Sequence, residues 1–409
     1  MVASHAFNIR CASHTNEEKC MKTTPFGTLF HYRSGSNAIV AATILIGAAI
    51  AFPCRAQNNY NQHNLVSDIS GLADHTDPQL VNPWGIASTG ASPFWVSDNG
   101  TGVSTLYNSS GTKQGLVVTI PPPATPTGVV FNSTTAFNGD RFIFATEGGT
   151  IDGWRGALGT SAETLAIGDN GLDAVFKGIA IATQATGTYI YAADFLQGHI
   201  AVFPGTAATP PLPGTFTDPT LPSGYAPFNI QNVNGTLLVT YAVQDASKHD
   251  EVDGAGFGIV DRFDLNGNFL QRLISNGALS ALNAPWGLAI APANFGMFSN
   301  DLLVGNFGDG RINAFDPVTG AFLGTLDDNF GNPIEIPGLW GLRVGNGGNG
   351  GDVNSVYFAA GIPGPDTVED HGLFGSLTVP DSGATFTMMA FALAAIACCA
   401  RLLQTGKAS

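Results

Sequence analysis

The chain has 409 residues, 52 of them Gly and 24 Pro, and only 11% are Asp, Glu, Lys or Arg. That composition excludes a coiled coil or a long-helix protein and favours turn-rich β structure, while a 44% hydrophobic content excludes disorder. Between residues 57 and 376 nine basic residues stand against 28 acidic ones, a balance that repels nucleic acid and anionic lipid. It suits divalent cations or neutral glycans, and it also keeps many secreted proteins soluble.

From the N-terminus, residues 38–52 read AIVAATILIGAAIAF, an uncharged run preceded by Lys22 and Arg33 and followed by Pro53-Cys54-Arg55-Ala56. This is the grammar of a secretory signal with cleavage after Ala56, so residues 1–56 are expected to be a leader; an uncleaved membrane anchor is the alternative. Met21-Lys22 offers a second start with a more ordinary leader. A lipoprotein reading of Cys54 is weakened by Phe52 and Pro53, where small residues are expected.

Beyond the leader a short segment recurs six times: Pro83-Trp84-Gly85-Ile86-Ala87, Pro126-Thr127-Gly128-Val129-Val130, Phe176-Lys177-Gly178-Ile179-Ala180, Pro227-Phe228-Asn229-Ile230, Pro285-Trp286-Gly287-Leu288-Ala289 and Leu339-Trp340-Gly341-Leu342-Arg343. Each is followed by a second β-rich run, such as Phe94 to Ser97 or Leu302 to Gly305, then a turn and a third run. Alternating apolar residues bounded by Gly, Asn and Asp are strand and hairpin signals, and a unit of four short strands makes one propeller blade. A fourth strand is expected at Phe269 to Leu273 and at Phe322 to Leu326; the sixth unit lacks one, and His63 to Ile69 at the front supplies it. The expected fold is therefore an all-β, six-bladed β-propeller over residues 57–377, with the N-terminal strand closing the last blade. The Trp or Phe heading each first strand is read as inter-blade packing, with a ligand platform as the alternative.

The position after each second strand carries Asp98, Glu147, Asp194, Tyr241, Asn306 and Ala360. Asp98, Glu147, Asp194 and Asn306, if they converge on the channel axis, offer hard oxygen ligands for Ca²⁺; alternatively each caps its own hairpin turn. A charged insertion in the fourth unit, Gln244 to Gly254, is expected to overhang the channel mouth and to set specificity through Lys248, His249, Asp250, Glu251 and Asp253. Its spacing does not fit an EF-hand, and no G-x-S-x-G, H-E-x-x-H or P-loop motif occurs. His63, His75, His199, His249 and His371 show no helical metal-ligand spacing, and His199, at a strand start, is read as structural. All five cysteines, Cys11, Cys20, Cys54, Cys398 and Cys399, lie in the two ends, so the body holds no disulfide.

The C-terminal segment, residues 378–409, has three parts: Val379-Pro380-Asp381-Ser382-Gly383, an apolar run from Ala384 to Ala400, and the basic residues Arg401 and Lys407. The run just spans a bilayer, and the basic end favours the cytoplasmic side. This arrangement resembles the VPDSG variant of the PEP-CTERM sorting tails of bacteria. The resemblance implies recognition by an exosortase-type membrane protease, removal of the tail after transient anchoring in the inner membrane, and delivery to the cell surface or extracellular matrix; a plain membrane anchor is the alternative. The blade pattern resembles NHL-repeat propellers, which share the P-x-G-[IL]-A start. With the tail, the whole chain resembles a family of exported bacterial propellers, a likeness that implies a fold and a location but no activity. Two functions follow as expectations. One is a non-enzymatic surface or matrix module holding a polysaccharide or an envelope protein; the other is a Ca²⁺-dependent propeller hydrolase or lyase.

Overall fold

A computed structural model describes residues 58–365 and 369–380. The chain divides into Met1–Cys54, outside the described residues, and Arg55–Ser409, which carries all the described structure. Six antiparallel sheets follow one another along that second unit as the blades of a propeller. Their innermost strands are, from blade 1 to blade 6, Pro83–Ala87, Pro126–Phe131, Phe176–Gln184, Tyr225–Val233, Pro285–Ile290 and Leu339–Val344. These contain the six recurring segments.

The ring closes as expected. Asn61–Ser67 pairs antiparallel with Leu373–Thr378, so the first strand of the chain is the fourth of blade 6, and His75–Thr76 adds a short parallel partner outside it. The same segment ties blade 6 to blade 5. Tyr60 is buried with its hydroxyl donating to the Phe295 carbonyl at 3.1 Å, and Asn58 Nδ2 donates to Asp327 Oδ2 at 2.6 Å.

Blade 3 departs from the four-strand expectation: Phe176–Gln184, Gly187–Asp194 and His199–Pro204 form a three-stranded sheet. Where a fourth strand belongs, the chain reads Pro210-Pro211-Leu212-Pro213, and three prolines remove the N–H donors that a ladder needs. This segment instead bonds blade 4, Gly214 N to Asn266 O and Phe216 N to Gly267 O.

The recurring glycine has a packing cause. A Cβ on Gly85 would lie 2.7 Å from the Thr127 carbonyl, and one on Gly128 2.8 Å from Ile179 N, each in the next blade's inner strand. Only a residue without a side chain lets the strands approach this closely around a small ring. Blade 4 puts Asn229 there instead, and its Nδ2 reaches across to donate to the Trp286 carbonyl at 2.7 Å.

Every inner strand is also bulged within its first residues, between Pro83 and Ile86, Pro126 and Val129, Phe176 and Gly178, Pro227 and Asn229, Pro285 and Gly287, and Leu339 and Leu342. A bulge re-aims the side chain it carries. Trp84, Phe228, Trp286 and Trp340 from these positions meet in one buried cluster with Phe195 and Phe307. Trp84 and Trp340 stack with ring centroids 3.5 Å apart, and Trp286 stands edge-on to both. The tryptophans thus plug the axis of the ring as well as packing its blades.

Candidate functional site

The bulge of blade 3 carries Lys177 where blades 1, 5 and 6 carry tryptophan. Its side chain is 1% exposed and lies over the Trp84 ring, with Nζ 5.2 Å from the centroid. A buried ammonium needs counter-charge. Glu147, following the second strand of blade 2, supplies it at 2.6 Å, and Asp250, from the blade 4 insertion, at 3.2 Å. Burial alone would push the Lys177 ammonium down; Glu147, Glu251 and Asp250 outweigh it and hold the amine above its ordinary range. Lys177 is therefore a fixed cation and not an amine nucleophile at neutral pH.

A hydrogen-bonded network spreads from this pair over the channel mouth. Glu147 Oε2 accepts from Asn99 Nδ2 at 2.8 Å, and Asn82 Oδ1 accepts from the indole N–H of both Trp84 and Trp340 at 3.0 and 3.2 Å. Burial pushes the Glu251 carboxyl up to about 8 against the pull of Lys177. Burial likewise pushes Glu369 up to about 7, against a hydrogen bond from Asn82. Asp250 goes the other way: although burial opposes it, Lys177 and His249 hold its carboxyl below the usual range. The mouth thus sets two carboxyls pushed toward the neutral form beside Asp250, which is held toward the ionised one.

The insertion holds its shape through Asp245, whose Oδ1 accepts from the backbone N–H of His249 at 3.0 Å and of Asp250 at 3.4 Å. His249 Nδ1 meets Asp250 Oδ1 at 2.8 Å, and Glu251–Val252 pairs with the end of the second strand of blade 4. Of the five loop residues singled out from sequence, Asp250 and Glu251 interact with Lys177. Lys248 is exposed, with a positive φ of 59°. Burial, with repulsion from Asp309, raises the Asp253 carboxyl.

The structure separates the other four singled-out positions. Asp98 is fully buried and its Oδ2 accepts from Thr105 N at 2.9 Å and Thr105 Oγ1 at 2.7 Å. Asp194 Oδ1 accepts from Val175 N and Gln197 N at 3.3 and 3.1 Å, and Asn306 Nδ2 donates to the Ala281 carbonyl at 2.8 Å. Asp98 bonds the third strand of its own blade, Asp194 and Asn306 bond adjoining loops, and each leaves one buried oxygen without a hydrogen-bond partner; of the four, Glu147 joins the mouth. Among the described residues two groups bring three ligand atoms within 4.8 Å of one another: Glu147, His249 and Asp250, and Asp169, Asp194 and His199. In the first, the Lys177 ammonium already sits against both carboxylates. In the second, His199 Nε2 bonds Asp169 Oδ2.

Lys177, Asn82, Asn99 and Glu369 are not among the site residues that the sequence singles out. Lys177 did carry a signal, as the lone ionisable residue at a position otherwise held by Trp, Phe or Thr. Glu369 carried none, since its approach depends on how the loop of blade 6 folds back. Among the described residues no helix is long and apolar enough to cross a membrane. The apolar runs 38–52 and 384–400, together with Ala56, Asp381, Ser382 and Gly383, lie outside them. Val379 packs half-buried on the core between blades 5 and 6.

No protein-family model matches the chain. Among solved structures it is similar to a streptogramin B lyase, at 13% identity and a TM-score of 0.44 over 78% of this chain and 97% of that one. It is also similar to a glucose dehydrogenase, at 15% identity and a TM-score of 0.49 over 79% and 100%. Nothing about activity follows from similarity at this level. Two proteins of Acanthamoeba polyphaga mimivirus are nearer in sequence. "Uncharacterized protein R648" is 35% identical over 80% of this chain and 82% of its own length, and "Uncharacterized protein L690" is 33% identical over 80% and 87%. With identity of that order over most of both lengths, this six-bladed propeller belongs to the family that contains R648 and L690.

Proposed function

We propose that this chain is an exported binding module of the cell surface or extracellular matrix, which holds a neutral polysaccharide at the channel mouth around Lys177. The observation that carries the reading is the convergence of Glu147 and Asp250 on the buried Lys177 ammonium, with Asn99 bonded to Glu147 beside them. Lys177 and Asn99 supply donors and Glu147 and Asp250 acceptors, and burial raises the Glu251 and Glu369 carboxyls beside them. Sugar hydroxyls both donate and accept, so they pair with such a set, and an acidic body disfavours polyanions. The buried aromatic cluster lies against Lys177, and Asp250 of the Gln244 to Gly254 insertion reaches it. Export rests on the signal-like run at 38–52, and anchoring followed by exosortase-type release rests on the VPDSG tail. Screening the purified protein against neutral, cationic and anionic glycans tests the reading: retention of neutral glycans supports it, and retention of none removes it.

The second reading is a Ca²⁺-dependent hydrolase or lyase. The Glu147, His249 and Asp250 group favours it, as does a carboxyl held near 8 beside ionised partners, the pairing that acid–base chemistry uses. It expects turnover of esters or lactones that a chelator abolishes and Ca²⁺ restores.

A further inference from the structure

Beyond the aromatic plug, at the end of the channel away from Lys177, the inner strands of all six blades enclose a second space. Gly85, Gly128, Ile179, Asn229, Trp286 and Gly341 line it, one from each blade, and Arg343 lines it too. Arg343 also borders an adjoining cavity of about 320 Å³, which it shares with Ser88, Gln231 and Asn346. Arg155 pairs with Asp140 and Glu163, Arg272 with Asp218 and Asp261, and Arg311 with Glu335, while Arg141 lies over the Phe131 ring and Arg262 donates to the Pro317 carbonyl. Arg343 faces no acid among the described residues. Its one side-chain hydrogen bond among the described residues is from Nη2 to the Ser88 carbonyl, at 3.4 Å. Burial alone pushes its guanidinium down, yet such a group stays charged in a protein. Arg343 is half-buried, and a guanidinium drawn partly out of water without an opposing charge is costly.

Ser88 supplies an independent observation. The residue is 3% exposed, and its Oγ has no hydrogen-bond partner. The Gln231 side chain makes no hydrogen bond within the described chain either. The cavity is thus lined by an unopposed guanidinium and a free amide, with an unused, buried hydroxyl in its wall. We propose that it is a binding site for a small oxyanion, a carboxylate or a tetrahedral sulfate or phosphate group, held by Arg343 with Ser88 and Gln231. The fork of a guanidinium takes two oxygens of such a group at once, and the hydroxyl and amide donate to the remaining lone pairs. The aromatic plug separates this site from the acidic mouth, so it stands independently of the glycan reading.

Equilibrium dialysis of the full chain against radiolabelled sulfate and radiolabelled malonate, at ionic strength held constant with sodium chloride, tests it. Saturable binding of one ion per chain is expected for at least one of the two, and which one binds separates tetrahedral from carboxylate ligands. Arg343→Gln is expected to weaken that binding at least tenfold. It should not lower the anion-free melting temperature, because it removes a half-buried charge that no acid opposes. Ser88→Ala is expected to weaken binding several-fold, and Arg343→Lys, which keeps the charge but loses the fork, to fall between. Absence of saturable binding of either anion to the unaltered chain, or undiminished binding by both Arg343 variants, overturns the proposal.

Discussion

Lys177 and Glu147 meet at 2.6 Å across the boundary between blades 2 and 3, with the lysine side chain only 1% exposed. An ion pair this deeply placed is set by what its loss leaves behind more than by its own net strength. Lys177→Met removes the cation and strands Glu147 and Asp250 beside the aromatic plug. Urea denaturation is expected to show a loss of about 3–5 kcal/mol. The double variant Lys177→Met/Glu147→Gln is expected to recover part of it, because the two sites are coupled.

The raised carboxyls make stability depend on pH in a stated direction. Glu251 and Glu369, at about 8 and about 7, bind protons more tightly folded than unfolded. Their contribution is complete below the ordinary carboxyl range and is lost as pH rises through about 7 to about 8. The melting temperature is therefore expected to fall from about pH 5 to about pH 9, and Glu251→Gln to flatten the fall by on the order of 1 kcal/mol. A melting temperature that rises over this range contradicts the assignment.

At the plug, Trp340 stacks on Trp84 and, with centroids 4.2 Å apart, on Phe307. Trp340→Ala opens a void where several blades meet, and denaturant melts are expected to show a cost of about 3–5 kcal/mol. The indole N–H bond to Asn82 is lost as well, so Trp340→Phe, which keeps most of the ring, is expected to cost less.

The inner-strand glycine gives a prediction with an internal control. Gly85→Ala places a Cβ 2.7 Å from the Thr127 carbonyl, a backbone atom that cannot swing aside. The cost is expected to be about 1–3 kcal/mol by thermal melting. Gly90, whose Cβ would meet nothing within 4 Å, is expected to accept alanine within about 0.5 kcal/mol.

The periodic part of this architecture is legible in the sequence because it is built from local rules. Pro-Trp-Gly at Pro83, Pro285 and its relatives marks a strand whose glycine answers a close approach, and His63 to Ile69 is visible as the strand that blade 6 lacks. Blade 3 breaks the count because Pro210, Pro211 and Pro213 remove donors, a signal present in the sequence but overridden in a reading by repeat. The site is less legible. Asp98, Asp194 and Asn306 recur at one position, which invites a ring, yet their bonds go to nearby strands and loops. Lys177 sits inside a strand motif, where its charge looks incidental until the bulge and the blade 4 insertion bring Asp250 to it. Arg343 is the same case at the far end of the same type of strand.

The most direct test of the channel mouth as the binding face is calorimetric titration of the best-retained neutral glycan into the full chain and into a variant carrying Asp250→Ala and Glu251→Ala. The predicted result is saturable binding to the unaltered chain that weakens at least tenfold in the variant, with the propeller fold retained by circular dichroism. Equal affinity for both proteins would place the glycan elsewhere and contradict the role assigned to the mouth.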